Sequence, residues 1–170
     1  MKTLQGKIFL NNNELSNTED NLIVFKEVPE VNYYSFLHEA DMNGLVQIII
    51  PSSVLISILK HFFKYKKARL VAIKLAEDED DYTRIINQLI SAVNNNRDYF
   101  IDLIEELNVL IEQDDMSVES IRLKYRENNK LVDLSISING ILDYSENSFE
   151  LGVITEVSDY VWKEMKSWLL

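Results

Sequence analysis

The sequence predicts an α+β fold in which a helical hairpin and a C-terminal helix pack against a mainly antiparallel sheet. A β-hairpin is indicated over 118–138, where apolar and polar residues alternate on both sides of an Asn-Asn pair. Two consecutive segments, 82–93 and 100–111, carry apolar residues at helical spacing. Because 170 residues suit one domain, we expect residues 1–170 to form a single α+β domain.

The N-terminal part of the chain predicts short strands separated by polar segments. Residues 7–10 and 22–25 have the composition of two strands, and the polar loop 11–21 joins them. The apolar run 45–50 predicts a buried strand. Residues 30–43 are compatible with a short helix or with an ordered loop, and the sequence leaves this choice open.

Helical periodicity dominates the middle of the chain. Pro51 and Ser52 open a helix with an apolar face formed by Val54, Leu55, Ile58, Leu59, Phe62 and Phe63. A further strand is predicted over 70–75. The two helices of the helical hairpin are joined at 94–96, and their apolar faces are Tyr82, Ile85, Ile86, Leu89, Ile90 and Val93, then Phe100, Leu103, Ile104, Leu107 and Ile111.

The β-hairpin has one register on which several signals agree. Asn tolerates positive φ, so Asn128 and Asn129 suit a two-residue turn. The apolar pairs across that turn are Tyr125 with Val132, Leu123 with Leu134, and Ile121 with Ile136. The same register places opposite charges together on the other face, with Lys124 facing Asp133 and Glu127 facing Lys130.

The alternation of apolar and polar residues is interrupted after the hairpin. A two-residue turn at Asn139-Gly140 would put Leu142 and Tyr144 on the polar face, so we expect a longer loop or a bulge there. Residues 149–153 alternate and predict another strand. A final helix is predicted from about Glu156 to the C-terminus, with the apolar residues Val157, Tyr160, Val161, Met165, Trp168 and Leu169 on one face.

Composition limits the classes of function. The formal net charge is −11 and the sequence pI is about 4.6, which disfavours direct nucleic-acid contact and favours basic partners. The chain has no cysteine, which excludes disulfides and thiolate chemistry. Its four glycines are too scattered to form a phosphate-binding loop, and we expect no cofactor.

The sequence also gives an expectation about location. Residues 1–7 are not followed by the apolar stretch of a secretory signal. The most apolar run, 45–63, is interrupted by polar and charged residues and is unlike a membrane span. We therefore expect a soluble cytoplasmic protein with no membrane contact.

An acidic run is the most conspicuous candidate site, and it consists of Glu77, Asp78, Glu79, Asp80 and Asp81. Its carboxylates would suit an acidic docking patch for a partner or a divalent cation. The simpler interpretation is a helix start, where acids complement the helix dipole, with Asp78 or Asp80 as N-cap and Asp80 paired to Arg84. A calcium loop would need a glycine turn and a spaced glutamate that are not present, so we expect no metal.

A basic run supplies an alternative site for an anion or a nucleic acid, and it comprises Lys60, His61, Lys64, Lys66, Lys67, Arg69 and Lys74. Cations at a helix C-terminus also have a purely structural explanation. Phe62 and Phe63 lie at core spacing, so burial explains them better than base stacking. A second basic stripe, formed by Arg122, Lys124 and Arg126, suits a solvated strand face or an acidic partner.

An aromatic segment near the N-terminus is a candidate partner contact. Tyr33, Tyr34 and Phe36 would either anchor a partner or cover the core. His38 lies near Glu39 and Asp41, but no second histidine or cysteine is spaced to complete a metal site.

These observations favour a non-catalytic, acidic protein-binding module. The expected form is an inhibitor or immunity-type protein that occludes a basic surface of a partner enzyme, for example a nucleic-acid-processing enzyme, through the acidic run, Tyr33 and Tyr34. Self-association is compatible with the same sequence. The alternatives are a nucleic-acid-associated accessory protein that uses residues 60–74, and an enzyme site assembled from dispersed carboxylates and His38.

Overall fold

The structure is a computed structural model that describes residues 2–11, 22–25, 28, 32–77 and 80–169. The strands in this part of the chain are β1 (Thr3–Asn11), β2 (Leu22–Phe25), β3 (Leu45–Gln47), β4 (Arg69–Leu75), β5 (Val118–Glu127), β6 (Lys130–Ser137) and β7 (Ile141–Ser145). The helices are α1 (Tyr33–Met42), α2 (Ser52–Lys66), α3 (Asp80–Asn95), α4 (Phe100–Gln113), α5 (Glu146–Glu150) and α6 (Val153–Leu169), with a 3-10 turn at Arg97–Tyr99. The predicted α+β fold is confirmed.

All seven strands belong to one antiparallel sheet. The strand order is β2-β1-β7-β6-β5-β4, and β3 pairs with β1 beyond the end of β7. The register of the β5–β6 hairpin is confirmed, because Tyr125 faces Val132 and Glu127 faces Lys130. Asn128 and Asn129 have φ angles of 50° and 61°, as a two-residue turn with two left-handed residues requires.

The connection between β6 and β7 is three residues long, 138–140, and confirms the expected longer loop. It places Leu142 opposite Ile136 and Tyr144 opposite Leu134, so both residues return to the buried face. Gly140 has φ of 75°, and a Cβ there would lie 3.0 Å from the backbone oxygen of Ile8. This position therefore requires glycine, both for its φ and for its close backbone approach.

The predicted strand over 149–153 is wrong. Residues 146–150 form the short helix α5, Gly152 turns the chain with φ of 70°, and α6 begins at Val153 rather than near Glu156. Val153, Ile154, Val157 and Val161 are all buried at helical spacing. A pattern of only five residues fits both the period of a strand and the period of a helix. The packing of the apolar face of α6 against the core selects the helix.

Two elements in the N-terminal part of the chain also differ from the prediction or add to it. The predicted buried strand 45–50 is a strand only over 45–47, and Ile49 is 72% exposed. Residues 33–42 form helix α1, which resolves the open choice for the segment 30–43. Most of the predicted loop 11–21 lies outside the described residues.

Two apolar clusters lie on opposite faces of the sheet. The larger one packs α2, α3, α4 and α6 against the face that carries Ile8, Leu123 and Leu134. The smaller one packs α1 against Phe9, which follows Ile8 in β1. Successive side chains of a strand point to opposite faces, so α1 covers the face that the other helices leave open.

Candidate functional site

Helix α1 is fixed to the sheet by an aromatic cluster. Phe36, Leu37 and Ala40 on its inner side pack with Phe9, Phe25 and Leu45. The Phe9, Phe25 and Phe36 rings meet edge to face, with centroid distances between 5.2 and 5.8 Å. Such aromatic contacts contribute beyond their buried area. The outward side chains of α1 therefore project from a well-anchored backbone.

The outward side of α1 exposes large side chains next to acidic ones. Tyr34 is 86% exposed and Met42 is 74% exposed, and His38 lies between them at helical spacing. His38 and Asp41 also line a cleft of about 390 Å³ between α1 and β3, with Val46 on its other side. We call Tyr34, His38, Asp41, Met42 and Val46 the α1 surface. Exposed aromatic and apolar groups beside charged ones are typical of protein-binding surfaces.

The two tyrosines of this segment have different roles. Tyr33 is half-buried, and its ring lies 6.3 Å from that of Tyr34 and 6.2 Å from that of Phe36. Burial, together with the neighbouring Tyr34 hydroxyl, raises the pKa of Tyr33. Tyr33 thus supports the exposed Tyr34 from the side. The sequence alone did not distinguish the two residues, because it left open whether this segment is a helix, and only the helix gives them different directions.

Along the chain, the acidic run follows β4 and ends in the first turn of α3, far from α1. Its described members Glu77, Asp80 and Asp81 are exposed, whereas 78–79 lie outside the described residues. Helix α3 begins at Asp80, in agreement with the helix-start interpretation. The predicted partner of Arg84 was wrong, because its guanidinium contacts the Asp81 carboxylate at 3.1 Å rather than Asp80. In the described ranges, no group of three or more His, Asp or Glu side chains could hold a metal ion.

The structure separates the two predicted partner-binding sets. Helix α1, which carries the α1 surface, packs through its inner side on β1. The acidic run follows β4 at the other edge of the sheet. Four strand spacings lie between β1 and β4, which corresponds to about 19 Å. Tyr34 and the acidic run therefore do not form one small site.

The basic run is divided among several environments. Lys66 lies between the carboxylates of Glu127, at 2.8 Å, and Glu156, at 3.0 Å. Lys74 contacts Glu119 at 2.8 Å, on the opposite face of the sheet from α2. Lys67 ends α2 with φ of 52°, and Arg69 projects from β4, while Lys60 and Lys64 stay exposed on α2. Phe62 and Phe63 are buried, as their spacing predicted.

The basic stripe on β5 is partly neutralised by one carboxylate. Arg122 donates two hydrogen bonds to Asp133, at 2.9 and 2.8 Å, and Lys124 contacts the same carboxylate at 3.2 Å. The bonds from Arg122 are the main cause of the lowered pKa of Asp133. These groups lie beside a polar cleft of about 280 Å³ on the sheet face opposite α2. Arg126 remains exposed at the end of the stripe.

Sequence reasoning missed three residues that matter for the surfaces. Met42 lies eight residues after Tyr34, a spacing that places both on one helical stripe once α1 is known. Val46 joins them through a cleft that only the packing of β3 against α1 creates. Arg97, in the 3-10 turn, lies over the ring of Phe63. The two residues are distant in sequence, so no local pattern predicts this contact.

Comparison with known proteins gives no functional information, because no family model, curated protein or solved structure matches this chain. No helix in the described ranges is long and apolar enough to cross a membrane.

Proposed function

We propose that this chain is a non-catalytic, cytoplasmic protein-binding module of the inhibitor or immunity type, and that the α1 surface contacts its partner. The observation that carries this proposal is the exposure of Tyr34, at 86%, and Met42, at 74%, on one anchored helix. Tyrosine and methionine are enriched at protein interfaces, where they supply contact area. A helix anchored through its opposite face presents them with little loss of backbone freedom on binding.

Charge defines the kind of partner. Glu39 and Asp41 are exposed on α1, and the whole chain carries a formal net charge of −11. Such a surface complements a basic patch and accelerates encounter with it. An enzyme that processes nucleic acid has a basic patch of this kind, because it must bind phosphates. The proposed module would occlude that patch.

A capture experiment with matched variants tests the proposal. Tyr34→Ala with Met42→Ala removes the two exposed anchors and leaves the buried side of α1 intact. Tyr65→Ala is the control, because Tyr65 is 64% exposed but lies on α2, on the other side of the sheet. Nuclease-treated native lysate should yield a protein that binds the wild type and Tyr65→Ala, and dissociates at least about tenfold faster from the double variant.

Two results would contradict the proposal. One is that the double variant and Tyr65→Ala weaken binding of the captured protein equally, which would exclude α1 as the contact. The other is that the capture recovers nucleic acid, and that protein is recovered only when nuclease treatment is omitted. That second result would favour the accessory-protein alternative, which the structure supports less because Lys66 and Lys74 are already paired with carboxylates.

A further inference from the structure

A second surface feature lies on the other side of the sheet from α1. It is a groove of about 640 Å³ between α2 and the start of α4, which we call the α2–α4 groove. Its apolar residues are Phe63, Phe100, Ile101 and Ile104. The volume falls within the range of small-molecule sites, which are mostly apolar with a few polar groups. The groove shares no residue with the α1 surface.

The apolar floor of the groove is both rigid and accessible. The Phe63 and Phe100 rings stack with their centroids 3.7 Å apart and their planes within 7°. Phe63 and Ile104 are buried and belong to the main core, so they hold the floor in place. Ile101 is 66% exposed on α4, although it is a large apolar side chain. A ligand with an apolar chain would cover it and gain from the area removed from water.

Three cations line the same groove, and one of them is held in a fixed position. The Arg97 guanidinium lies 3.6 Å from the Phe63 ring centroid and donates hydrogen bonds to the backbone oxygens of Phe63 and Ala68. Two of its five N–H donors are used in this way, which leaves others for an anion. Because stacking already orders the guanidinium, an anion bound there would cost little additional side-chain entropy.

The other two cations lie on α2. Lys60 and Lys64 are one helical turn apart and exposed, and within the described ranges neither has a carboxylate within ion-pair distance. Two carboxylates, Asp98 and Glu105, also line the groove. The formal charge of the lining is therefore three minus two, or +1, in a chain of net charge −11. This local reversal of sign favours an anionic ligand at this site.

We propose that the α2–α4 groove binds an amphipathic carboxylate, with its apolar chain on Phe100, Ile101 and Ile104. The carboxylate interacts with Lys60, Lys64 and Arg97. Charge-assisted hydrogen bonds of this kind are stronger than neutral ones and give the site its preference for an acid over an alcohol. This inference does not depend on the proposed partner of the α1 surface, because the two sites lie on opposite sides of the sheet.

Calorimetric titration with three single-chain probes tests the assignment. Decanoate, decanol and decyltrimethylammonium have unbranched apolar chains of nearly equal length and differ in the charge of the head group. We expect decanoate, below its micelle concentration, to bind one site about tenfold more tightly than decanol. The cationic probe should bind more weakly still. Ile101→Glu should weaken binding of decanoate and decanol, because it places a negative charge on the apolar floor.

A matched pair of variants separates local recognition from overall charge. Lys60→Gln with Lys64→Gln should lower decanoate affinity about tenfold and leave decanol binding unchanged. Arg69→Gln with Arg126→Gln removes the same charge from exposed positions on the opposite sheet face and should have no effect. Three results would each overturn the proposal. The two double variants could lose decanoate affinity equally, decanoate and decyltrimethylammonium could bind with equal affinity, or no probe could show saturable binding.

Discussion

At the scale of single residues, Lys7 is the least expected feature of the chain. Its side chain has no solvent exposure, and its ammonium donates a hydrogen bond to the backbone oxygen of Asn139 at 2.7 Å. The ammonium also lies 5.4 Å from the Phe9 ring centroid. Burial lowers the pKa of Lys7 from its ordinary value of 10.5. A charged group in this environment carries a desolvation cost that its contacts only partly offset.

Replacing Lys7 by methionine tests that statement. The folded state binds this proton less tightly than the unfolded state, so the wild type gains stability as the pH rises from the lowered pKa towards 10.5. We expect Lys7→Met to be as stable as the wild type at neutral pH, or more stable by about 1–2 kcal/mol. The advantage should shrink at pH 10. Urea unfolding at both pH values measures it, and a strongly destabilised variant would show that the bond to Asn139 outweighs burial.

At the scale of elements, the sequence predicted best where several local signals agreed. In the β5–β6 hairpin, alternation, Asn turn chemistry and charge pairing all indicated one register, which the structure confirms. Residues 149–153 offered only a short alternation, and the assignment failed there. Of the candidate surfaces, Tyr34 was found from composition, but the α1 surface depends on long-range packing that leaves no local signature.

Two neighbouring substitutions test the contribution of the hairpin to the core. Leu134 is completely buried, whereas Ser135 is partly exposed on the opposite face of β6. Leu134→Ala should therefore lower the free energy of unfolding by about 2–5 kcal/mol, because it leaves a cavity. Ser135→Ala should change it by less than about 0.5 kcal/mol. Similar denaturation midpoints for the two variants would contradict the assigned faces.

One side chain pairs with the backbone of the edge strand β4 at a single residue. The Asn94 carboxamide, at the end of α3, accepts a hydrogen bond from the Leu70 backbone N–H at 3.1 Å and donates one to the Leu70 backbone oxygen at 2.7 Å. It thus takes the place of a neighbouring strand on β4, the last strand of the sheet. Unpaired strand edges invite pairing with other chains, and this contact blocks one position.

Asn94→Ala should expose that position. Loss of both hydrogen bonds leaves the half-buried backbone groups of Leu70 unpaired, so we expect a loss of about 1–3 kcal/mol in the free energy of unfolding. Asn95→Ala is the control, because Asn95 is exposed and adjacent on α3. It should be neutral or slightly stabilising through helix propensity. Chemical denaturation of the two variants measures the difference, and equal stability would remove Asn94 from this role.

At the scale of the whole molecule, the proposed function separates long-range attraction of a partner from direct contact with it. The net charge of −11 acts over the whole surface, and the acidic run at the β4 edge adds to it at a distance from α1. Long-range attraction depends on total charge and is screened within about 8 Å at physiological salt. Short-range contacts depend on the side chains that the partner covers. The proposed function therefore predicts different kinetic effects for the two regions.

Binding kinetics with the captured partner test this separation. The association rate should fall as salt rises, whereas the dissociation rate should change little. Asp80→Lys with Asp81→Lys and Glu39→Lys with Asp41→Lys change the net charge equally, so both should slow association. Only the second pair, on α1, should also accelerate dissociation, because its charges lie at the contact. An association rate independent of salt would exclude charge attraction as the basis of recognition, and faster dissociation in the Asp80 and Asp81 variant would place the acidic run inside the interface.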